Sequence, residues 1–429
     1  MKKVLKAAVL LLVAVSFVAC NSLLWAAPKE VRLRFSWWGG EARHKDTLAA
    51  IEVYTKKNPN VKIAAEYSGW DGYQQKLLTQ LAGGNAPDII QLDQPWLADL
   101  MAQGDLFLDL NKYKSSINMN GFDKKFLADL CTVNRKLVGL PTGINAATFA
   151  VNTTLAAKMG IPTTTAWDWD NLAEIGAKVH KQDSSCYLLQ TDLRSSMDLI
   201  KAYVGNKTGK PWLTNEYTMG FNKQQLTEAF TYFRKLIENG TIEPFEESML
   251  FDKKMEQDPK WTGGKVVMNL NWASSMEIYK RPNFQMGIMR PVFAKGAKNT
   301  GLIVRPAQVI GINSRTAQPK EAAKFVNWFF NDPEAITILG MSRGVPPTEI
   351  GRQTLAAKNL LEKNVADAVS VGLKNAGIPE TPATNNSEIV NIFSETVQKV
   401  GFGKITPQKA ADELIAQFQA KLNELKNQK

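Results

Sequence analysis

Cysteine and histidine are scarce. The 429 residues include 3 cysteines and 2 histidines, His44 and His180. No CxxC pair occurs, so the donor set of a structural zinc site is missing, and neither a metal nor another cofactor is expected. Walker A, G-x-S-x-G, H-E-x-x-H and G-x-G-x-x-G patterns are also absent, which removes the local signatures of several nucleotide-binding and hydrolytic classes. There is no dense Lys/Arg tract. The formal charge of +11 falls to 49 basic against 41 acidic residues, or +8, once Lys2, Lys3 and Lys6 are set aside as part of a leader. The remaining charges are spread along helices such as Gln408 to Lys429, as on solvated faces, and nucleic acid is not an expected partner. A mildly basic surface still favours anionic solutes.

Long apolar runs are confined to the N-terminus. Lys2, Lys3 and Lys6 form a basic region before the uncharged stretch Ala7 to Ala19, 13 residues long. That is shorter than the roughly 20 residues of a membrane-spanning helix, so residues 1–27 read as an export signal. Phe17-Val18-Ala19-Cys20 is similar to a lipobox, which would make Cys20 a lipidated first residue. Cleavage near Ala26 or Ala27, just before Pro28, is the alternative, and an uncleaved anchor is a third. All three place the protein in the periplasm or at the outer face of the cytoplasmic membrane. Cys131 and Cys186 remain in the mature chain, as a disulfide or as two buried thiols.

About 400 mature residues exceed one hydrophobic core, so two domains are expected. Val31, Leu33 and Phe35 alternate with polar residues as in a strand, followed by a Trp37-Trp38-Gly39-Gly40 loop and a helix carrying Leu48, Ile51 and Tyr54. Val61 to Ala65 resumes a strand. Gly72 precedes a helix with Tyr73, Leu77 and Leu81, and Asp88-Ile89-Ile90 reads as a buried strand before a helix from about Pro95 to Gly104. This alternation predicts an α/β protein with a mostly parallel sheet. Helices are also expected over Thr165–Lys181, Leu226–Glu238, Pro319–Phe330 and the C-terminal stripe Ala411, Leu414, Ile415, Phe418, Leu422 and Leu425, with strands at Lys265–Leu270 and Val309–Asn313.

The 11 tryptophans are the positive signal. Trp37, Trp38, Trp70, Trp96 and Trp272 each fall where an element meets a loop, beside Glu41, Arg43, His44, Asp71, Asp93 or Asn271. In open α/β sheets such loops gather at the carboxyl ends of strands, where ligands bind. An indole face packs on the C–H face of a pyranose while carboxylates and amides bond its hydroxyls. Sugar binding therefore fits, and so does an exported glycoside hydrolase or polysaccharide lyase, whose paired carboxylates composition alone does not exclude.

The run Tyr73-Gln-Gln-Lys-Leu-Leu-Thr-Gln-Leu-Ala-Gly-Gly-Asn-Ala-Pro-Asp-Ile-Ile-Gln-Leu-Asp93 resembles the signature of the family 1 extracellular solute-binding proteins, the maltose-binding-type receptors of ABC importers. Gln103 to Leu110, Lys136 to Pro141, Val151 to Leu155, Ala166 to Leu172, Gly263 to Met268, Gln308 to Asn313, Asp332 to Ala335 and Arg343 to Pro346 follow the family's landmarks in order over nearly the whole mature chain. The resemblance implies a two-lobed periplasmic-binding-protein fold of type II, with ligand in the cleft between lobes. It implies a first lobe of residues 28–150 plus about 304–348, and a second of 151–303 plus about 349–429. It also implies a monomeric receptor, not an enzyme, that delivers a neutral or uronic oligosaccharide to membrane permease subunits. The positions matching the cleft are Trp37, Trp38, Glu41, Arg43, His44, Asp71, Asp93, Gln94, Asn145 and Trp272, to which the strand-end arrangement adds Trp70 and Trp96; Asp93-Gln-Pro-Trp96 departs from the Asn-Trp pattern common in oligosaccharide-binding members. Among them Trp38, Trp70 and Trp272 would stack on sugar, and Arg43 would face an acidic group.

Overall fold

A computed structural model describes residues 30–163, 167–289, 297 and 299–427. The leader readings, Cys20 included, lie outside the described residues. Strand β1 (Val31–Trp38) runs through Trp37 and Trp38 rather than yielding to a loop there. Its first residues alternate between buried and exposed, and from Phe35 onward every residue is buried. The reason is pairing: Trp37 lies opposite Tyr67 and Trp38 opposite Ser68 on β2 (Val61–Ser68), so the ladder holds the chain extended to the end of both strands. Helix α1 (Glu41–Lys57) buries Ala50, Ile51 and Tyr54 and leaves Leu48 exposed. Helix α2 (Tyr73–Ala82) follows Gly72, whose φ of 76° suits glycine. Then come β3 (Ile89–Leu92) and α3 (Trp96–Ala102).

Two sheets organise the molecule. The first has five strands in the order β2-β1-β3-β12-β6, where β6 is Leu140–Pro141 and β12 is Val309–Ile312. Strands β1, β2 and β3 are mutually parallel, as the strand–helix alternation predicts, and β12 is antiparallel to β3 and β6. The second sheet runs β10-β7-β9-β8, from Met286–Met289, Ile144–Asn152, Val266–Trp272 and Tyr187–Gln190. Strand β11 (Val304–Pro306) adds to β7. Here the expectation of a mostly parallel sheet fails: β9, β10 and β11 all pair antiparallel with β7, and only β8 with β9 is parallel. Strand β7 leads the chain out of the first sheet, and β11 brings it back, so the two must oppose each other. A short pair, β4 (Thr132–Val133) and β5 (Lys136–Leu137), completes the strands.

The helices pack as their stripes require. The helix expected from Thr165 is described from Trp169 to Gln182, with Asp168 accepting from the Asn171 amide in a reciprocal cap. The C-terminal helix Pro407–Asn427 buries Ala411, Leu414, Phe418 and Leu422 against the helices Lys223–Glu238 and Ser387–Gly401. Cys131 and Cys186 are two buried free thiols, which settles that alternative. No helix among the described residues is long and apolar enough to cross a membrane.

The chain passes between the sheets on two adjacent segments. Thr142 N–H donates to Gln308 O at 2.8 Å, Ala307 N–H to Gly143 O at 2.8 Å, and Ile144 N–H to Val345 O at 2.8 Å. A Cβ on Gly143 would lie 2.2 Å from Arg343 O, so only glycine allows this approach. Gly143→Ala is expected to cost about 1–3 kcal/mol of stability through overpacking, read as a lower thermal midpoint.

One buried carboxylate lies away from these crossings. Glu243 is fully buried beside Asp258, with Lys260 Nζ 2.8 Å from its Oε2. Burial, followed by the Asp258 charge, outweighs Lys260 and pushes the Glu243 carboxyl up to about 7. A raised acid favours its protonated form in the folded state. Its stabilisation is full below the ordinary carboxylate range near 4.5 and is lost as pH rises through about 7. Chemical denaturation between pH 4.5 and 8 is expected to show a loss of roughly 3 kcal/mol that Glu243→Gln flattens.

Candidate functional site

The carboxyl ends of β1, β2 and β3 bring three loops together. Trp38 ends β1, Trp70 sits in the turn after β2, and Trp96 opens α3 after β3. Their rings form one cluster: Trp38 to Trp70 at 5.1 Å, Trp38 to Trp96 at 5.4 Å, and Trp70 stacked on Trp96 at 5.5 Å. Tyr73 closes it from below at 5.1 Å from Trp38. Edge and stacked contacts of this kind hold rings at fixed angles. The cluster is graded in exposure: Trp38 is buried, Trp96 half-buried, and Trp70 is 51% exposed.

Hydrogen bonds fix its base. Tyr73 donates its hydroxyl to Gln91 O at 2.9 Å and accepts from Ser36 Oγ at 3.0 Å. Gln91 Nε2 donates to Trp38 O at 3.0 Å, leaving Gln91 Oε1 buried without a protein partner. Glu41, at the start of α1, and Asp71, next to Trp70 in the turn before α2, are both exposed. Asp93 is half-buried and its Oδ1 accepts from Gln94 N–H at 3.0 Å. Burial raises the Asp93 carboxyl above its ordinary range, against the opposing charge of Arg305 and that backbone bond.

Three residues named from the sequence sit elsewhere. Trp37 is fully buried on the other face of β1, and its indole N–H donates to His44 Nδ1 at 3.1 Å. Both rings pack with Tyr67, at 5.1 and 4.5 Å. Burial, then the charges of Arg43 and Arg343, lowers the His44 imidazole, consistent with a neutral ring accepting that bond. The alternation of a strand explains the split: adjacent tryptophans point to opposite faces. Arg43 is committed as well. Its Nε donates to Ser342 O and its Nη1 to Trp38 O, each at 3.0 Å. Instead of facing an acidic group, it fastens the end of β1 to the 342 loop. Arg343 beside it is fully buried, donating to Thr47 Oγ1 at 2.8 Å.

The second sheet supplies a facing group. Asn145 on β7 pairs across to Arg305 on β11, and Ala147 to Trp272 on β9. Asn145 and Ala147 point to one face, so Arg305 and Trp272 flank β7 on that face. The small Ala147 side chain between them lets the Arg305 guanidinium lie 4.8 Å from the Trp272 ring centre. Arg305 and Gln94 line a common space between the sheets. It adjoins a larger polar cavity of about 880 Å³, whose walls include Lys125 and Asn134 on one side and Thr214, Glu216 and Asn385 on the other. That cavity shares Gln94 with the residues named from sequence and lies to one side of the tryptophan cluster. Tyr73 is the buried helix residue that the sequence predicts, and it also seats the cluster. Arg305 is not signalled by the sequence, because nothing local to it marks it. Among the described residues, no group of three or more His, Cys, Asp or Glu could hold a metal ion.

Residues 41–336 match the bacterial extracellular solute-binding protein family, and the chain belongs to it. A periplasmic oligogalacturonide binding protein from Yersinia enterocolitica is 29% identical, with a TM-score of 0.81 over 92% of this chain and 100% of that one. Its complex with saturated digalacturonic acid superposes with a TM-score of 0.76, covering 92% and 99%. The sn-glycerol-3-phosphate-binding periplasmic protein of Pectobacterium atrosepticum is 23% identical over 88% of both chains. A de novo designed cysteine esterase is also similar, 28% identical with a TM-score of 0.86 over 93% of this chain and all of that one. The fold is that of the two-lobed periplasmic solute-binding proteins, with the ligand cleft between lobes.

The graded burial makes a direct test of the cluster. Trp38→Ala is expected to cost about 3–5 kcal/mol of stability, as for a core aromatic. Trp70→Ala is expected to change it by roughly 0.5 kcal/mol or less, as at an exposed site. Denaturant titration of the two variants measures both.

Proposed function

We propose that the protein is an exported carbohydrate receptor that captures an oligosaccharide, neutral or uronic, and presents it to the membrane subunits of an ABC importer. The carrying observation is the pre-built tryptophan cluster at the strand ends of one sheet, with Trp272 and Arg305 on the two strands that flank β7 in the other. Aromatic faces suit the C–H faces of pyranose rings, and the polar groups around them suit hydroxyls. The likeness to an oligogalacturonide binding protein over 92% of this chain and all of that one supports the same reading.

In this reading Trp38, Trp70, Trp96 and Trp272 provide stacking surface. Glu41, Asp71, Asp93, Gln94 and Asn145 bond hydroxyls. Trp37, His44 and Arg43 support the loops from behind. The expected lobes, residues 28–150 with about 304–348 and 151–303 with about 349–429, are here shifted to follow the sheets, because β7 (Ile144–Asn152) and β11 (Val304–Pro306) both belong to the second sheet. The exchange then falls near residues 142–144 and 306–308, with Asn145 and Arg305 in the second lobe. Sugar captured by one lobe and contacted by the other shifts the population toward a closed form, and the importer reads that shape. The protein acts as a monomer and leaves its ligand chemically unchanged.

Calorimetric titration of the mature protein with neutral and uronic oligosaccharides tests this. A saturable isotherm with the ligand recovered intact is expected, and Trp272→Ala is expected to weaken binding at least about tenfold, or about 1.4 kcal/mol. Release of reducing ends would instead make the protein a hydrolase, and silence across the panel would remove the sugar reading.

A further inference from the structure

Three arginines lie near the cleft, and their situations differ. Arg43 has its Nε and Nη1 donors on the carbonyls of Ser342 and Trp38. Arg343 is fully buried, with Nη1 on Thr47 and its plane over Phe329 at 5.3 Å. Arg305 is half-buried on a strand edge, with its guanidinium carbon 4.8 Å from the Trp272 ring centre, and no described residue accepts a hydrogen bond from its guanidinium. The nearby Asp93 carboxylate senses its charge without forming an ion pair with it. Elsewhere in the second lobe, partly buried cations are closed into networks: Arg194 and Lys201 share Asp198 and Glu380. Arg305 is thus a cation held in place at the floor of the space between the sheets, with its donor edge uncommitted.

We propose that Arg305 reads the carboxylate of a uronic acid residue, and that the ligand is therefore an acidic oligosaccharide. This rests on the sugar-receptor reading above and narrows it. A carboxylate accepts two parallel N–H bonds from a guanidinium fork, a match that an ammonium or an amide lacks. The contact with Trp272 removes rotamer freedom in advance, so less order is lost when the ligand arrives. It also sets the fork beside an aromatic face, which places the carboxylate at the rim of a stacked ring, where C5 of a pyranose carries it. A neutral sugar would leave the guanidinium without its charged partner as water is excluded, and so would bind less well.

The test compares digalacturonic acid with its dimethyl ester, which keeps the rings and loses the charges. Wild-type protein is expected to bind the acid at least about tenfold more tightly than the ester. Arg305→Gln is expected to lose about tenfold or more for the acid and less than about twofold for the ester. Arg305→Lys, which keeps the charge without the planar fork, is expected to recover part of that loss. Equal binding of acid and ester by the wild type, or equal losses of both in Arg305→Gln, would overturn the assignment while leaving a sugar receptor. Failure of the wild type to bind either compound or any neutral oligosaccharide would overturn the receptor reading itself. Far-ultraviolet circular dichroism and thermal midpoints of the two variants separate lost recognition from lost fold.

Discussion

The antiparallel contact between the two segments that cross from sheet to sheet is the constraint on which the rest depends. Thr142 and Gly143 pass beside Ala307 and Gln308, bonded through their main chains and through Thr142 Oγ1 to Gln308 Oε1 at 2.9 Å. Each segment then becomes a strand of a different sheet on either side: β6 gives way to β7, and β11 to β12. A main-chain ladder tolerates small rotations about its ends yet resists slippage, because a slip of one residue would turn every side chain to the wrong face. Two bodies joined this way can change their angle while keeping their register. The same register puts Asn145 opposite Arg305, where β7 leaves the crossing and β11 approaches it.

How much of this was legible beforehand divides along the range of the interactions. The helices and first three strands were readable because their signals are local: alternation in Val31 to Phe35, the Gly72 turn, the Asp168 cap, the stripe through Phe418. The end of β1 was misplaced because the reading took Trp-Trp-Gly-Gly as a loop, whereas pairing with Tyr67 and Ser68 extends the strand. That error joined Trp37 to Trp38 as two candidates for one role, although a strand sends neighbours to opposite faces. Arg43 looked free in sequence because its acceptors are backbone carbonyls, one of them in a loop far along the chain. Arg305 was invisible for the converse reason. Its meaning comes from Trp272 and Asp93, neither of them a sequence neighbour. The antiparallel second sheet was missed because strand–helix alternation says nothing about a strand that returns from another lobe.

The charges follow a consistent division of labour. Arg43 and Arg343 spend their donors inside the first lobe, where they tie the end of β1, the α1 helix and the 342 loop into one block. Leaving Arg343 Nε and Nη2 buried without partners is a cost that most folds avoid. Trp38 is held separately, its carbonyl accepting from both Arg43 and Gln91. Rigidity at Trp38 passes to Trp70 and Trp96 through ring contacts, so the most exposed ring of the cluster is steadied by the most buried one.

That arrangement bears on how a flat, polar ligand can be held at all. A sugar in water is well solvated, and burying its hydroxyls against loosely held partners gains little after the ordering cost. Rings already packed at fixed angles incur no such cost, because their conformational freedom was given up when the lobe folded. In the proposed receptor the first lobe would therefore carry the preorganised apolar surface, built from three loops on parallel strands. The second would contribute fewer groups, Trp272 and Arg305, whose positions are set by strand register rather than by loop conformation. A platform in one body and orienting groups in the other make the two contributions cooperative only when the bodies approach. Selectivity between open and closed forms would then come from where the residues stand, without any single contact being unusually strong.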